Sequence, residues 1–505
     1  MNVGQNIGNG GTDGGASAAA VNTSLVIGLT FVATLGGLLF GYDTAVISGA
    51  VSSIDAYFIN PLGWSETARS SLSGWTISSA LLGCIIGAFV AGWVSSRIGR
   101  RGGMIVAGAM FLLGSLGSAW PELGLGHIGQ MGPSALVPFI VYRIVGGIGV
   151  GIASMLSPLY IAEISPPAIR GKLVSFNQLA IVGGILLVYF VNWFVASQGD
   201  DGWVKSIGWR LMLASEAIPS AIFMILLLFV PDTPRGLVVR GQSEEALAQL
   251  RRVMGESDAR TILKEIERTL VVKTAPLLTF GLPVILVGVM ISVFQQFVGI
   301  NAVLYYAPLM FQNMGASTDS ALLQTVIVGA ANVIFTLVAI FTVDSWGRKP
   351  LLVTGAIVMA VAMIALGCLF NAQVTGLGLL ISAVLYIAGF ALSWGPVAWV
   401  MLSEMFPNSI KGQALALAVA AQWTANLLVS TTFKIMAENT TLNSLFHHGF
   451  PYWLYGAMSV LAAVFVIRYV PETKGRSLEE IQEVWGHAAG SPATAVAPSQ
   501  PQPSD

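Results

Sequence analysis

Three ionisable side chains lie deep in apolar stretches of this 505-residue sequence: Asp43, Arg143 and Glu216. Holding a charge there costs roughly 2.5–3.5 kcal/mol on insertion scales, so each is a functional candidate by position alone. An acid that faces an arginine inside a helix bundle can act as a switch. Ionised, it pairs with the arginine; protonated, it lets go and the helices can shift. Asp43 follows Gly36, Gly37 and Gly41, and Arg143 precedes Gly146, Gly147, Gly149 and Gly151. Such small residues let helices approach closely. The four histidines (His127, His447, His448 and His487) fall in connecting segments or the tail, which leaves Asp43 as the expected proton carrier. A static Asp43–Arg143 ion pair is the alternative. Glu216, six residues after Arg210, suits a tuning or structural role as well as a direct one.

Uncharged polar side chains recur in the same stretches: Gln178, Gln295, Gln296, Asn301, Asn332, Gln422 and Asn426, with Tyr305, Tyr306, Trp394 and Trp423. Any one amide alone is most simply an interhelical hydrogen bond, worth about 0.6 kcal/mol on average. Trp394 and Trp423 could equally be packing aromatics. Gly299, between Gln296 and Asn301, invites a broken helix. No nucleophile–base pair, phosphate loop or metal cluster accompanies these groups, so no catalytic residue, metal or cofactor is expected.

The elements that must carry these residues are membrane spans. The chain has 24 basic and 25 acidic residues, 55% apolar residues and a mean hydropathy of +0.76. Charged residues make up 10% of it, against about a quarter in a soluble chain. This excludes a basic nucleic-acid face and identifies a polytopic, all-α membrane protein. Charge and Gly/Pro punctuation divide it into twelve spans, near 25–49, 72–95, 103–119, 136–159, 173–196, 210–230, 278–303, 320–342, 351–370, 376–400, 413–433 and 452–470. Cys84 and Cys368 lie in different spans, so no disulfide or zinc framework is implied. The expected organisation is a flexible tail (1–24), a six-helix half (25–234), a linker of amphipathic surface helices (235–274), a second six-helix half (275–486) and a disordered tail (487–505). With the N-terminus in the cytoplasm, nineteen of the 24 Lys and Arg residues fall on the cytoplasmic side, so both termini are expected there.

The two halves echo each other. Gly99-Arg100-Arg101 matches Gly347-Arg348-Lys349 at 248 residues, Glu163 to Gly171 matches Glu404 to Gly412 at 241, and Pro231-Asp232-Thr233 matches Pro471-Glu472-Thr473 at 240. Each pair sits at the same end of the corresponding span, so the halves are parallel repeats, a transporter architecture.

The segments GWVSSRIGRR (92–101), DSWGRK (344–349), Ala162 to Gly171, PDTPR (231–235) and PETKG (471–475) together resemble the sugar porter family of the major facilitator superfamily. GGLLFGYDTAVISG (36–49), RGKLVSFNQ (170–178), FQQFVGINAVLYYAP (294–308) and SWGPVAWVMLSEMFP (393–407) look most like that family's bacterial D-xylose–proton symporters. The resemblance covers roughly residues 25 to 480. It implies a monomeric, multi-pass protein of the bacterial inner membrane whose partners are a monosaccharide, a proton and the lipid bilayer.

The resemblance places the coupling acid at Asp43, with Arg143 and Glu216 in its neighbourhood. It places sugar contacts at Gln178, Gln295, Gln296, Asn301, Asn332, Trp394 and Gln422, and pocket walls at Tyr305 and Trp423. A sugar needs amides for hydroxyls that donate and accept, and an apolar face for its C–H bonds. Ile185, one helical face with Gln178, would shape the pocket beside Phe40 and Leu304. Glu163, Arg170, Asp232 and Arg235 in the first half are expected to face Asp344, Arg348, Glu404 and Lys411 in the second as a cytoplasmic gate. The alternative is a solvated basic surface whose exposed pairs are each worth ~0–1 kcal/mol. Two departures bear on the gate. Ser96 stands where the family usually has an acid, and Lys411 where it has an arginine, which removes a bidentate fork. The expected activity is sugar–proton symport by alternating access. A proton-independent facilitator and a non-transporting sugar sensor are the competing readings.

Overall fold

In lipid every backbone N–H and C=O must find its partner within the span, so the apolar runs fold as helices. A computed structural model describes residues 23–165, 169–253, 256–270, 275–313, 315–374, 376–407 and 409–474, and no strand occurs among them. Both expected terminal tails, 1–24 and 487–505, lie almost wholly outside these residues.

The crossing helices are α1 (Thr23–Val46), α2 (66–98), α3 (100–119), α4 (Leu136–Ile164), α5 (Arg170–Ala196) and α6 (Trp209–Ala214 with Ala217–Leu227) in the first half. The second half has α7 (Leu282–Phe297 with Ile300–Gln312), α8 (Thr318–Trp346), α9 (Arg348–Asn371), α10 (Leu377–Leu392 with Trp394–Met405), α11 (Lys411–Ala437) and α12 (Phe450–Tyr469). Short helices Pro234–Val239, Ser243–Val253 and Glu256–Leu270 join the halves. The face that carries them is called the linker face below, and its opposite the outer face.

The sequence reading separates spans two and three by a loop, whereas the chain turns at a single residue. Gly99 has φ +82°, a region that penalises any Cβ, and a Cβ there would also strike the Asp232 carboxylate. Span seven was expected to stop near 303 but runs to Gln312, in two pieces separated at Val298 and Gly299. Span ten breaks at Ser393, just ahead of Pro396. Side chains such as Phe31, Phe229 and Phe341 stay exposed on the perimeter, where lipid tails replace a protein core. The halves meet where α2 packs on α11 and α5 on α8.

Candidate functional site

Asp43 on α1 and Arg143 on α4 meet in the middle of the first half, both buried. Arg143 Nη1 donates to Asp43 Oδ1 at 3.0 Å and Nη2 to the Asp43 carbonyl at 3.4 Å. Gly146, one turn beyond Arg143, permits the approach: a Cβ there would lie 3.3 Å from Oδ1. Glu216 sits in the break of α6, also buried, and its charged neighbours are Asp43 and Arg143. Among the described residues no donor reaches either Glu216 oxygen or Asp43 Oδ2. The centre therefore holds two carboxyl groups against one guanidinium.

Arg210, six residues earlier, is not the partner of Glu216. It is buried at the outer end of α6, where Nη2 donates to Glu122 Oε1 at 2.7 Å and Nη1 to Oε2 at 2.9 Å. Burial raises the Glu122 carboxyl, but hydrogen bonds from Arg210 and Tyr57 outweigh this and hold it below its ordinary value.

Between the halves lies a cavity walled by polar and apolar side chains of both. Gln178 and Ile185 of α5, Gln295, Gln296, Asn301 and Tyr305 of α7, Asn332 of α8, and Gln422 and Trp423 of α11 line it. The amides are wired together. Gln422 Nε2 donates to Gln295 Oε1, Gln295 Nε2 to the Trp394 carbonyl at 3.0 Å, and Asn301 Nδ2 to Gln296 Oε1 at 2.6 Å. The apolar wall is Phe40, Leu304, Ile185 and Phe390, with the Phe40 and Trp423 rings 5.5 Å apart.

Trp394 stands apart from this set. Its indole is fully buried and donates to the Leu352 carbonyl on α9 at 2.9 Å, so only its backbone addresses the pocket amides. Trp399, one and a half turns further along α10, lines the cavity instead, as do Thr44, Thr336 and Asn426. Sequence reasoning passed over Trp399, and its helical offset from Trp394 was the only signal. Phe40 and Thr44 of α1 line the pocket on either side of Asp43, so one helix carries both sites.

At the linker face the expected gate residues form two clusters, one in each half. Arg100 Nε and Nη2 each reach Glu163 at 3.0 Å, and Thr233 Oγ1 donates to the same carboxylate. In the second half Arg348 Nε and Nη2 reach Glu404 at 3.1 and 2.8 Å, and Thr473 Oγ1 donates to it at 2.6 Å. Asp232 accepts from the backbone of Arg100 and pairs with Arg240; Glu472 accepts from the backbone of Arg348, Lys349, Thr473 and Lys474. Burial raises the Glu472 carboxyl, and these backbone donors more than offset it, leaving it below its usual value. Arg170 donates to the Ser165 carbonyl of its own half, and Lys411 lies near Glu404 in its own. Ser96 Oγ donates back to the Trp93 carbonyl and caps nothing. Among the described residues Arg235 makes no hydrogen bond or ion pair, and the side chain of Asp344 lies outside the described structure. Among the described residues, the ion pairs of these two clusters stay within their own half and its linker.

Twelve crossings in two repeated halves around a central amide-lined cavity, with a buried ionic centre beside it, define a secondary transporter of the major facilitator fold. The chain belongs to the sugar (and other) transporter family, whose pattern it matches over residues 29–485. It is 54% identical to the D-xylose-proton symporter of Escherichia coli (strain K12) over 92% of this chain and 96% of that one. It is 47% identical to the glucose facilitated diffusion protein of Zymomonas mobilis, over 91% and 98%. Its structure superposes with a TM-score of 0.83 on the partially occluded inward open conformation of the E. coli xylose transporter XylE, at 52% identity, covering 90% of this chain and all of that one.

Proposed function

We propose that this protein imports a monosaccharide, D-xylose or a related pentose or hexose, together with a proton by alternating access. The observation that carries the reading is the Asp43–Arg143–Glu216 centre, whose Asp43 lies on the same helix that walls the amide-lined cavity. Two acids against one arginine are electrically neutral only with one proton bound, and a buried net charge is costly. A proton taken up by Asp43 weakens its hold on Arg143, frees α1 relative to α4 and moves Phe40 and Thr44 with it. Glu216 stands where it can share that proton. Gln178, Gln295, Gln296, Asn301, Asn332 and Gln422 supply the hydroxyl contacts, Tyr305 and Trp423 the walls, and Trp394 its carbonyl.

The positive-inside rule sets the linker face, and with it both termini, in the cytoplasm of a bacterial inner membrane. The two six-helix halves move as bodies, and the 235–274 segment links them. In this conformation the linker-face clusters are closed upon themselves. Glu163, Arg170, Asp232 and Arg235 meet Asp344, Arg348, Glu404 and Lys411 only when the inner mouth shuts. The protein works as a monomer in lipid and needs no catalytic step. The likeness to an inward open relative supports this assignment of state.

The 47% identity to a facilitated diffusion protein, with the apolar pair Ile185 and Leu304 in the pocket, favours a second reading: proton-independent passage of glucose. One experiment separates the two. Asp43→Asn should abolish uphill D-xylose accumulation in vesicles given an inward proton gradient, while counterflow exchange survives. Accumulation at the wild-type level in that variant would sink the symport reading.

A further inference from the structure

The outer face is closed by a buried charge network that crosses between the halves. Lys434, near the outer end of α11, is 1% exposed at its side chain. Its Nζ lies 2.8 Å from Asp55 Oδ2, just beyond α1, and also contacts Glu438 of its own helix. Two serines at the start of α2 complete the arrangement: Ser73 donates to Asp55, and Ser70 donates to Glu438 Oε2 at 2.8 Å. The helices could hardly come closer. A Cβ at Gly74 would lie 2.7 Å from the Thr431 carbonyl of α11. Asp55, Ser70 and Ser73 belong to the first half, Lys434 and Glu438 to the second. Every described ion pair of the two linker-face clusters stays within a half, so this network differs from them in kind.

We propose that Asp55 and Lys434 form an outer ionic latch, which holds the outer mouth shut in the inward-facing state and must part for the carrier to face outward. Desolvation makes the pair demanding when closed: a buried lysine without its carboxylate is costly, whereas in an open, watered mouth both charges are hydrated. The latch is also wired to the sugar pocket along α11. Asn426 Nδ2 donates to Tyr305 Oη at 3.3 Å, Ser430 Oγ to Asn426 Oδ1 at 3.0 Å, and Tyr306 Oη to the Ser430 carbonyl at 3.0 Å. Lys434 follows one turn later. A sugar that engages Asn301 and Tyr305 on the outer piece of α7 therefore pulls on the helix that holds the lysine.

The latch rests on the alternating-access reading, and the test keeps the two apart. In a chain with Cys84→Ala and Cys368→Ala, Thr44→Cys places one thiol in the pocket, and a membrane-impermeant maleimide added outside whole cells reports outer opening. Labelling that saturating D-xylose slows establishes that the carrier faces outward. Against that rate, Lys434→Met and Asp55→Lys are each expected to label about tenfold faster, a shift of ~1.4 kcal/mol. The charge swap Asp55→Lys with Lys434→Asp should return to the slow rate. Singles that label no faster, or a swap as fast as the singles, overturn the latch and leave the carrier reading standing. Absence of outside labelling in every variant overturns both. If charge reversal prevents insertion, Asp55→Asn, which keeps the Ser73 contact and loses only the charge, decides the matter: unchanged labelling overturns the latch.

Discussion

The first and second halves build the same charge cluster at the linker face, at unequal depth. Arg100–Glu163 has side chains 10% and 7% exposed; its counterpart Arg348–Glu404 has 11% and 30%. Asp232 is also held by an arginine, Arg240, while among the described residues Glu472 accepts from backbone N–H groups. Both clusters tie the glycine turn between the second and third crossings of a half (Gly99, Gly347) to the end of its fourth crossing and to the segment after its sixth. They make each half stiff. The ion pairs described for them in this conformation stay within a half, so they fit bodies that rock past each other, and the first body is the better locked.

That difference sets the order of expected effects. Arg100→Met leaves Glu163 nearly dry and unpaired, and should cost about 2–4 kcal/mol, read as the largest drop in thermal unfolding midpoint. Arg348→Met should cost about 1–2 kcal/mol, because Glu404 can turn to water. Equal losses would erase the distinction between the halves. A reversed order would place the stiffer body in the second half.

Glu472 sharpens the comparison through pH. Its folded carboxyl lies below the ordinary 4.5, so the stability it contributes is full above that value and lost as pH falls through the lowered one. Unfolding midpoints measured from pH 6 downward should therefore fall, and Glu472→Gln should flatten the fall on the acid side while lowering the midpoint at neutral pH. A slope identical to the parent would show that Glu472 is not the group responsible.

The repeat itself was readable, because offsets of 248, 241 and 240 residues put like motifs at like ends of spans. The amides that line the cavity were legible as a set only through the family resemblance, since any one of them alone reads as an interhelical hydrogen bond. Three things were not. The partner of Glu163 was expected among the opposing charges of the second half, yet Arg100 of its own half takes it; charge pattern gives the sign of a partner, not its direction. Trp394 and Trp399 differ only in which way α10 turns after Ser393, a break whose geometry no periodicity records. The third is the surroundings of Lys434 and Arg210, basic residues near the outer ends of their spans. Both are buried, because hydropathy locates depth along the membrane normal and says nothing of which helix stands opposite.

The smallest expected effect lies in the linker, and it tests whether depth alone explains the ranking. Arg251 pairs with Glu256, and Glu256 with Arg260, but these side chains are 45%, 51% and 66% exposed. The two arginines hold the Glu256 carboxyl below its ordinary value, a shift made by hydrogen bonding in full contact with solvent. Water and salt screen such contacts, and ordering the long side chains opposes what remains. Arg251→Ala should leave the unfolding midpoint unchanged within error, at low and at high salt. A loss comparable to that of Arg348→Met would mean that the linker helices brace the halves directly, and the stiffness now credited to the two buried clusters would have to be shared with the segment between them.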